Sequence, residues 1–360
     1  MRLLARAALT LSLLLPLSLS QTGCLPSSQR RNTRAVTPAD SLSMRIAAEA
    51  PVDTLRLAWT AEAPEASPFE LPTSLAWLPD SLGGRLAVAD TRGGSIHVVS
   101  PEGAYVGAWR PEGLQFPYLA GVRGDTVVVH SRGARRLDFV VDGRVVRRLD
   151  LPADYSAVLA TDSLLWAKRT EEGDTHLARL DATGREAARY RLPGPYWRHI
   201  GFLRPWGDAL LSLSGYRPVV DRLPAGAPDG AALDSLYLYG FDSPQLVRSY
   251  QFMLDEVDQP PLLTSSAAAL GDRLYVLNLR VEEVRIDVYG PAREGAEGGL
   301  RLERTLVYPD VALLASAFPV DLAVRAVGGG GLQFALALQN PGGVLAPSGG
   351  RLVMLAWDGP

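Results

Sequence analysis

Between Tyr118 and Pro152 the chain alternates short apolar runs with turn residues. Leu119–Val122 stops at Gly124-Asp125, Thr126–Val129 at Ser131-Arg132-Gly133, Leu137–Val141 at Asp142-Gly143, and Val145–Leu149 at Leu151-Pro152. Asp-Gly between apolar runs is a strong hairpin signal, and β-branched valine suits a half-buried pleated surface. The pattern predicts one up-and-down sheet of four strands.

The unit recurs along the chain. Its second run appears as Arg85–Val88, Thr126–Val129, Ser163–Trp166, Ala209–Ser212, Arg273–Val276 and Gly331–Phe334. The steps between them are about 37 to 64 residues, within or above the period of propeller blades. Third runs follow at Ser95–Val99, Arg135–Val141, Thr175–Leu180, Ser235–Tyr239, Arg285–Tyr289 and Arg351–Ala356. Fourth runs follow at Tyr105–Trp109, Val145–Leu149, Glu186–Arg191, Gln245–Phe252 and Leu302–Val307. The sixth copy runs out of chain after its third run, while Leu55–Trp59 stands unpaired near the start. That N-terminal strand is expected to complete the last sheet, removing two exposed edges. The expectation is an all-β chain whose residues 52–360 form a six-bladed β-propeller of four-stranded antiparallel blades. Gly215–Asp234, Gln259–Ser266, Ala292–Gly299 and Asn340–Gly350 read as insertions.

The start of the chain has another character. Arg2 and Arg6 precede an apolar stretch, Ala7–Leu19, broken at Pro16, which is too short for a membrane span and has the form of a secretory signal. Ser20-Gln21-Thr22-Gly23-Cys24 follows and resembles the bacterial lipobox, in which cleavage precedes a cysteine that becomes lipidated. Gly23 and Cys24 match that pattern and Gln21 departs from it, so cleavage after Ser20 to a soluble periplasmic protein is the alternative. Residues 1–23 are read as the signal and Cys24 as the lipidation site. Residues 24–51, rich in Ser, Arg, Thr and Pro, are read as a flexible tether, with a turn or two of helix within Ser41–Ala50. Leu25 after the cysteine implies, by the same resemblance, transfer to the outer membrane.

Composition narrows the partners. A formal net charge of -3 argues against nucleic acid and against a general pull to anionic lipid, leaving the anchor as the membrane contact. Cys24 is the one cysteine, so no internal disulfide exists, and no Cys/His spacing suits zinc. Lys168 is the one lysine among many arginines. A monomer is expected.

With its blade rhythm Leu86-Ala87-Val88-Ala89-Asp90, Ile96-His97-Val98-Val99 and Gly103, the chain resembles the NHL/TolB-like six-bladed propellers that occur as bacterial envelope lipoproteins. The resemblance implies an outer-membrane or periplasmic address. It leaves two activities open: non-catalytic binding of a ligand or protein partner, and hydrolysis or elimination at the central channel. Fold alone does not choose between them.

On the propeller reading, one face gathers the ends of the second strands and the loops between blades. Asp90, Ser131, Lys168, Ser214 and Asn278 end those strands, and Arg92, Arg132, Arg169, Arg217 and Arg280 follow. Phe116, Tyr118, Tyr155, Tyr196, Trp197 and Phe318 fall in the loops between blades. Together with His130 they describe a basic, aromatic mouth for a small anionic or sugar-like ligand, because guanidinium pairs well with carboxylate or phosphate. The ordinary alternative is that strand ends are polar everywhere and loop aromatics seal blade to blade. No cofactor is expected. Ca²⁺ is the one candidate, with Asp90, Asn278 and Asp321 as ligands. His97 and His176 fall inside strands, and neither they nor His199 show the spacing of a catalytic triad. Arg123-Gly124-Asp125 reads as a turn, Asp255–Asp258 as a solvated loop and Gly328–Gly331 as a flexible turn without a phosphate-loop lysine.

Overall fold

The computed structural model describes residues 38–280, 282–291, 298–314, 317–340 and 349–359. The expected signal (1–23), Cys24 and the first part of the tether lie outside the described residues, as does most of the expected insertions Ala292–Gly299 and Asn340–Gly350.

The described chain opens with a helix, α1 (Pro38–Glu49), and two strands, β1 (Val52–Thr54) and β2 (Arg56–Ala61). The up-and-down pattern then begins with β3 (Pro72–Trp77), β4 (Leu86–Asp90), β5 (Ser95–Val99) and β6 (Tyr105–Trp109). A second meander holds β7 (Pro117–Arg123), β8 (Thr126–Ser131), β9 (Arg136–Val141) and β10 (Arg144–Asp150). The third holds β11 (Ala157–Ala160), β12 (Leu165–Glu171), β13 (Asp174–Leu180) and β14 (Glu186–Arg191). The fourth holds β15 (Leu203–Trp206), β16 (Ala209–Leu213), β17 (Val219–Leu223) and β18 (Asp234–Tyr239), followed by helix α2 (Leu246–Met253). The fifth holds β19 (Thr264–Leu270), β20 (Arg273–Asn278), β21 (Val284–Pro291) and β22 (Gly299–Tyr308), followed by α3 (Val311–Leu314). The chain ends with β23 (Phe318–Ala326), β24 (Leu332–Asn340) and β25 (Gly349–Trp357).

The first, second and third meanders are separate four-stranded antiparallel sheets. The fourth and fifth merge into one nine-stranded sheet, because Tyr237–Tyr239 run parallel to Gly299–Arg301 and β1 runs parallel to Thr305–Val307. The outer edge of β22 is thereby covered at both ends. β2 pairs antiparallel with β25, with Arg56 opposite Ala356 and Ala61 opposite Leu352. The N-terminal strand thus completes the last sheet, as the unpaired apolar run suggests. The first strands touch in sequence: β3 with β7, β7 with β11, β11 with β15, β15 with β19, β19 with β23, and β23 with β3. The architecture is all-β and consistent with a β-propeller.

Strand periodicity explains the core. β4 is buried on both faces: Leu86 and Val88 pack toward β24 and β25, while Ala87 packs toward Val127 and Val140 of the second meander. Such a strand reads as a continuous apolar run because successive side chains enter two different cores. Further apolar clusters fill the spaces between the other neighbouring meanders.

Three expectations change. Gln245–Phe252 is no strand: α2 occupies it, and Leu246 and Ser249, one helical turn apart, are buried together. The third strand of the fourth meander is Val219–Leu223, inside the expected insertion Gly215–Asp234, and Ser235–Tyr239 is its fourth. Pro218, Pro224 and the glycines around this five-residue strand mask its pattern. The turn or two of helix expected within Ser41–Ala50 of the tether is longer, running from Pro38 to Glu49, and is docked. Ser43 Oγ accepts from the Gly240 N–H at 2.8 Å and donates to the Phe241 carbonyl at 3.3 Å, and Ile46 is buried against Phe241 and Leu300. The i,i+3 pair Ser43/Ile46 gives this segment a face to bury, which composition alone does not reveal. Among the described residues no helix is long and apolar enough to cross a membrane.

Candidate functional site

The polar strand ends serve the backbone. Asp90, fully buried, accepts from the N–H groups of Glu70 (2.6 Å), Leu71 (3.0 Å) and Gly93 (2.7 Å) and so fixes the loop entering the first meander. Ser131 Oγ does the same for Gln115, accepting from its N–H at 2.8 Å and donating to its carbonyl at 3.2 Å. Lys168 Nζ donates to the carbonyls of His199 (2.9 Å) and Gly201 (2.8 Å). Ser214 Oγ accepts from the Tyr216 N–H at 3.4 Å, and Asn278 Nδ2 donates to Asp287 Oδ2 at 2.5 Å. A buried loop backbone must find partners, and these side chains supply them. Asp90, Ser131, Lys168 and Ser214 thus hold backbone groups, while Asn278 holds the Asp287 side chain.

Of the arginines, two are solvent-exposed and two are paired. Arg92 and Arg132 are exposed, Arg169 pairs with Glu171 at 3.1 Å and lies 3.9 Å from Glu186, and Arg280 donates to Asp242. Tyr155 is buried between the second and third meanders, its hydroxyl donating to Glu186 Oε1 at 3.1 Å. Trp197 meets Phe252 edge-on at 4.9 Å. The candidate cation ligands Asp90, Asn278 and Asp321 hold different partners, and the described residues contain no group of three His, Cys, Asp or Glu able to hold a metal.

Two expected residues do meet. Tyr118 and His130, opposite one another in β7 and β8, both line a cavity of about 240 Å³ among the first strands. Its wall is completed by Leu119–Ala120, Ser156–Leu159, Ile200–Arg204, Leu213, Gly215, Leu262 and Thr264–Ser266. Most of these are apolar. Burial, aided by the charge of Arg132, lowers the His130 pKa to about 4, so the ring is neutral near pH 7. Ser265 lines the cavity with its Oγ buried and without a partner among the described residues.

Beside this cavity lies a hub that sequence reading did not assemble. Asp321 of β23, almost fully buried, accepts at Oδ1 from Arg204 Nη2 of β15 (2.7 Å) and from Ser266 Oγ of β19 (2.5 Å). Its Oδ2 accepts from the Leu75 N–H of β3 at 2.8 Å. Arg204 also donates to the carbonyls of Ala267 (2.6 Å) and Leu203 (3.1 Å) and sits 4.7 Å over the Phe202 ring. One carboxylate thus ties four first strands. A usable signal exists: Arg204 is a lone charge inside the apolar run before Gly207-Asp208.

The other histidines do not line this cavity. His97 lies between Ser95 Oγ (3.1 Å) and the Tyr105 hydroxyl (3.0 Å), fully buried, and burial lowers its pKa to about 4. His176 lies 3.7 Å from Glu186, and His199 lies 3.5 Å from Asp221. Lys168 is the more unusual group: burial lowers its pKa to about 7, against the pull of Asp221 and with the push of Arg204.

No family model matches the chain, and no curated protein matches it in sequence. Among solved structures it is similar to virginiamycin B lyase from Staphylococcus aureus at 12% identity and a TM-score of 0.46, over 78% of this chain and 84% of that one. It is similar to an exported protein from Bacteroides fragilis at 11% identity and a TM-score of 0.49, over 85% and 98% of the two chains. BamB from Moraxella catarrhalis matches at 10% identity and a TM-score of 0.38, over 80% and 86%. No activity is transferred from these proteins at such identities.

Proposed function

We propose that the chain is a six-bladed propeller of the bacterial envelope, held by a lipid at Cys24, whose channel cavity binds a small, uncharged, largely apolar ligand without converting it. The blade count rests on the six first strands that touch in a closed series and on the completion of the last sheet by β2. The address rests on the basic start, the apolar run and Gly23-Cys24.

The ligand reading is carried by one observation: Arg204, the charged side chain in the cavity wall, is already neutralised by Asp321. An anion would enter uncompensated, and desolvating it would cost several kcal/mol. Neutral His130 and Tyr118 remain to orient a hydroxyl or carbonyl, while the leucines, Val158 and Phe202 take an apolar body. Binding is favoured over hydrolysis or elimination because, among the described residues, the cavity wall presents no carboxylate to act with His130 as an acid–base pair.

The test is a thermal-shift screen of the purified protein with small alcohols, ketones, organic acids and Ca²⁺. A ligand at 100 times its Kd adds about 2.7 kcal/mol of stability. Neutral compounds should raise Tm, and Ser265→Phe, which fills the cavity, should abolish that rise without lowering the unliganded Tm by more than a few degrees. A rise that survives Ser265→Phe, or one given by Ca²⁺ alone, would sink the reading.

A further inference from the structure

A second cleft lies between the third and fourth meanders, apart from the Arg204–Asp321 hub. Its walls are the β11–β12 turn at Thr161–Leu164, the β15–β16 turn at Gly207–Asp208 and the loop Pro224–Ala227, and its volume is about 310 Å³. Leu159, Leu210, Leu223 and the rings of Trp166 and Tyr190 also line it, the two rings 5.9 Å apart.

The walls are fixed before any ligand arrives. Tyr190 is buried and its hydroxyl donates to the Ala227 carbonyl at 3.1 Å. The loop beyond Ala227 is pinned to β14, because Arg189 donates its N–H to Asp229 at 2.7 Å and its carbonyl accepts from Gly230 at 3.0 Å. On the other side the Thr161 N–H donates to the Leu164 carbonyl at 3.0 Å, and Arg123 donates to that same carbonyl at 2.6 Å.

The charges in the cleft are of both signs and are not spent on each other. Arg179, half-buried and directly across the strand pair from Trp166, makes no ion pair among the described residues. Asp208 and Asp162 are exposed at the rim, and neither is in an ion pair there. Arg169, Arg189 and Arg191, on the other strands of this meander, are taken: Arg169 and Arg189 by Glu171 and Glu186, and Arg191 by Asp174. A half-buried guanidinium suits a carboxylate, an exposed carboxylate suits an ammonium, and the indole between them suits an apolar side chain. A simple anion would meet the two aspartates, and a simple cation would meet Arg179.

We propose that this cleft binds a small zwitterion, a free α-amino acid or dipeptide with an apolar side chain, its carboxylate on Arg179, its ammonium on Asp208 and its side chain on Trp166. Calorimetric titration of the full-length protein with L-phenylalanine, L-leucine and phenylalanyl-leucine tests this. The blocked forms N-acetyl-L-phenylalanine and L-phenylalaninamide are titrated in parallel. Each block should weaken binding by about 10-fold or more. Arg179→Gln should weaken L-phenylalanine equally yet leave the amide, which lacks the carboxylate, unchanged. Asp208→Asn should do the converse with the N-acetyl form. Ser265→Phe, which fills the other cavity, should leave all of these titrations as they are. No binding at about 10 mM, equal affinity for free and blocked forms, or loss in Ser265→Phe would overturn the proposal. If Arg179→Gln fails to fold, the blocked ligands on the unaltered protein still decide it.

Discussion

At the scale of single residues, the most consequential pair is Arg204 and Asp321. Asp321 is nearly inaccessible and Arg204 is its one cationic partner in the ion pairs of the described residues, so removing Arg204 strands a buried charge. Arg204→Leu should cost about 3 kcal/mol or more of unfolding free energy, read by urea denaturation. The double change Arg204→Leu/Asp321→Leu should cost clearly less than the single one, because the uncompensated charge goes with it. Lys168 makes a separate prediction in pH. Its folded pKa, about 7, lies below the ordinary lysine value, so between pH 7 and about 10.4 the unfolded chain holds more protons than the folded one. Stability from this group therefore rises with pH across that window, by at most ~1.4 kcal/mol per pH unit. The urea midpoint should increase from pH 7.5 to 9.0, and Lys168→Met should flatten that increase. An unchanged slope in Lys168→Met would mean that Nζ stays charged in the folded protein.

At the scale of elements, the N-terminal arm does more than fill a gap. α1 lies against β18 and β22, β1 pairs along β22, and β2 completes the last sheet. A stretch of 24 residues, from Pro38 to Ala61, thereby joins the fourth and fifth meanders to the last sheet. Trp59 anchors it: its Nε1 donates to the Pro101 carbonyl at 3.0 Å and its ring lies over Gly103, where a Cβ would come within 2.6 Å of it. Gly103 also has φ 92°, so it serves both the turn and the close approach. Trp59→Ala should cost about 2 to 3 kcal/mol, less than a fully buried Trp because the ring is half-exposed. Removing residues 52–61 should lower Tm far more, since it also exposes the edges of β22 and β25. These elements show what the sequence carried. Turn residues at Asp142-Gly143 announced a hairpin, and both have positive φ, 46° and 76°, as a two-residue hairpin turn demands. Closure by Leu55–Trp59 was legible because a lone apolar run needed a partner. The strand Val219–Leu223 was not, since flanking prolines and glycines resemble those of a loop. Helix α1 was legible as a turn or two within Ser41–Ala50, but its docking through Ser43 and Ile46 was not, because few of its described residues are buried.

At the scale of the whole molecule, the site was less legible than the fold, for a physical reason. Polar residues at strand ends occur at fixed offsets, so the sequence shows them as a set. Whether they face a shared mouth or their own loop backbone depends on side-chain direction over a single bond or two. Asp90, Ser131 and Lys168 turned to the backbone, where unpaired N–H and C=O groups set the larger cost. The hub of Leu75, Arg204, Ser266 and Asp321 draws on four distant first strands, and no local pattern links them. The product is a closed series of first strands in which the charge of Arg204 is paired with Asp321, beside a cavity that is mostly apolar. Such a cavity should accept neutral ligands and refuse charged ones. Calorimetric titration with matched pairs decides this: benzyl alcohol against benzoate and cyclohexylmethanol against cyclohexanecarboxylate, at low and high salt. Each alcohol should bind at least about 10-fold more tightly than its acid, with an affinity that salt does not change. Tighter binding of the acids, weakened by salt, would contradict it.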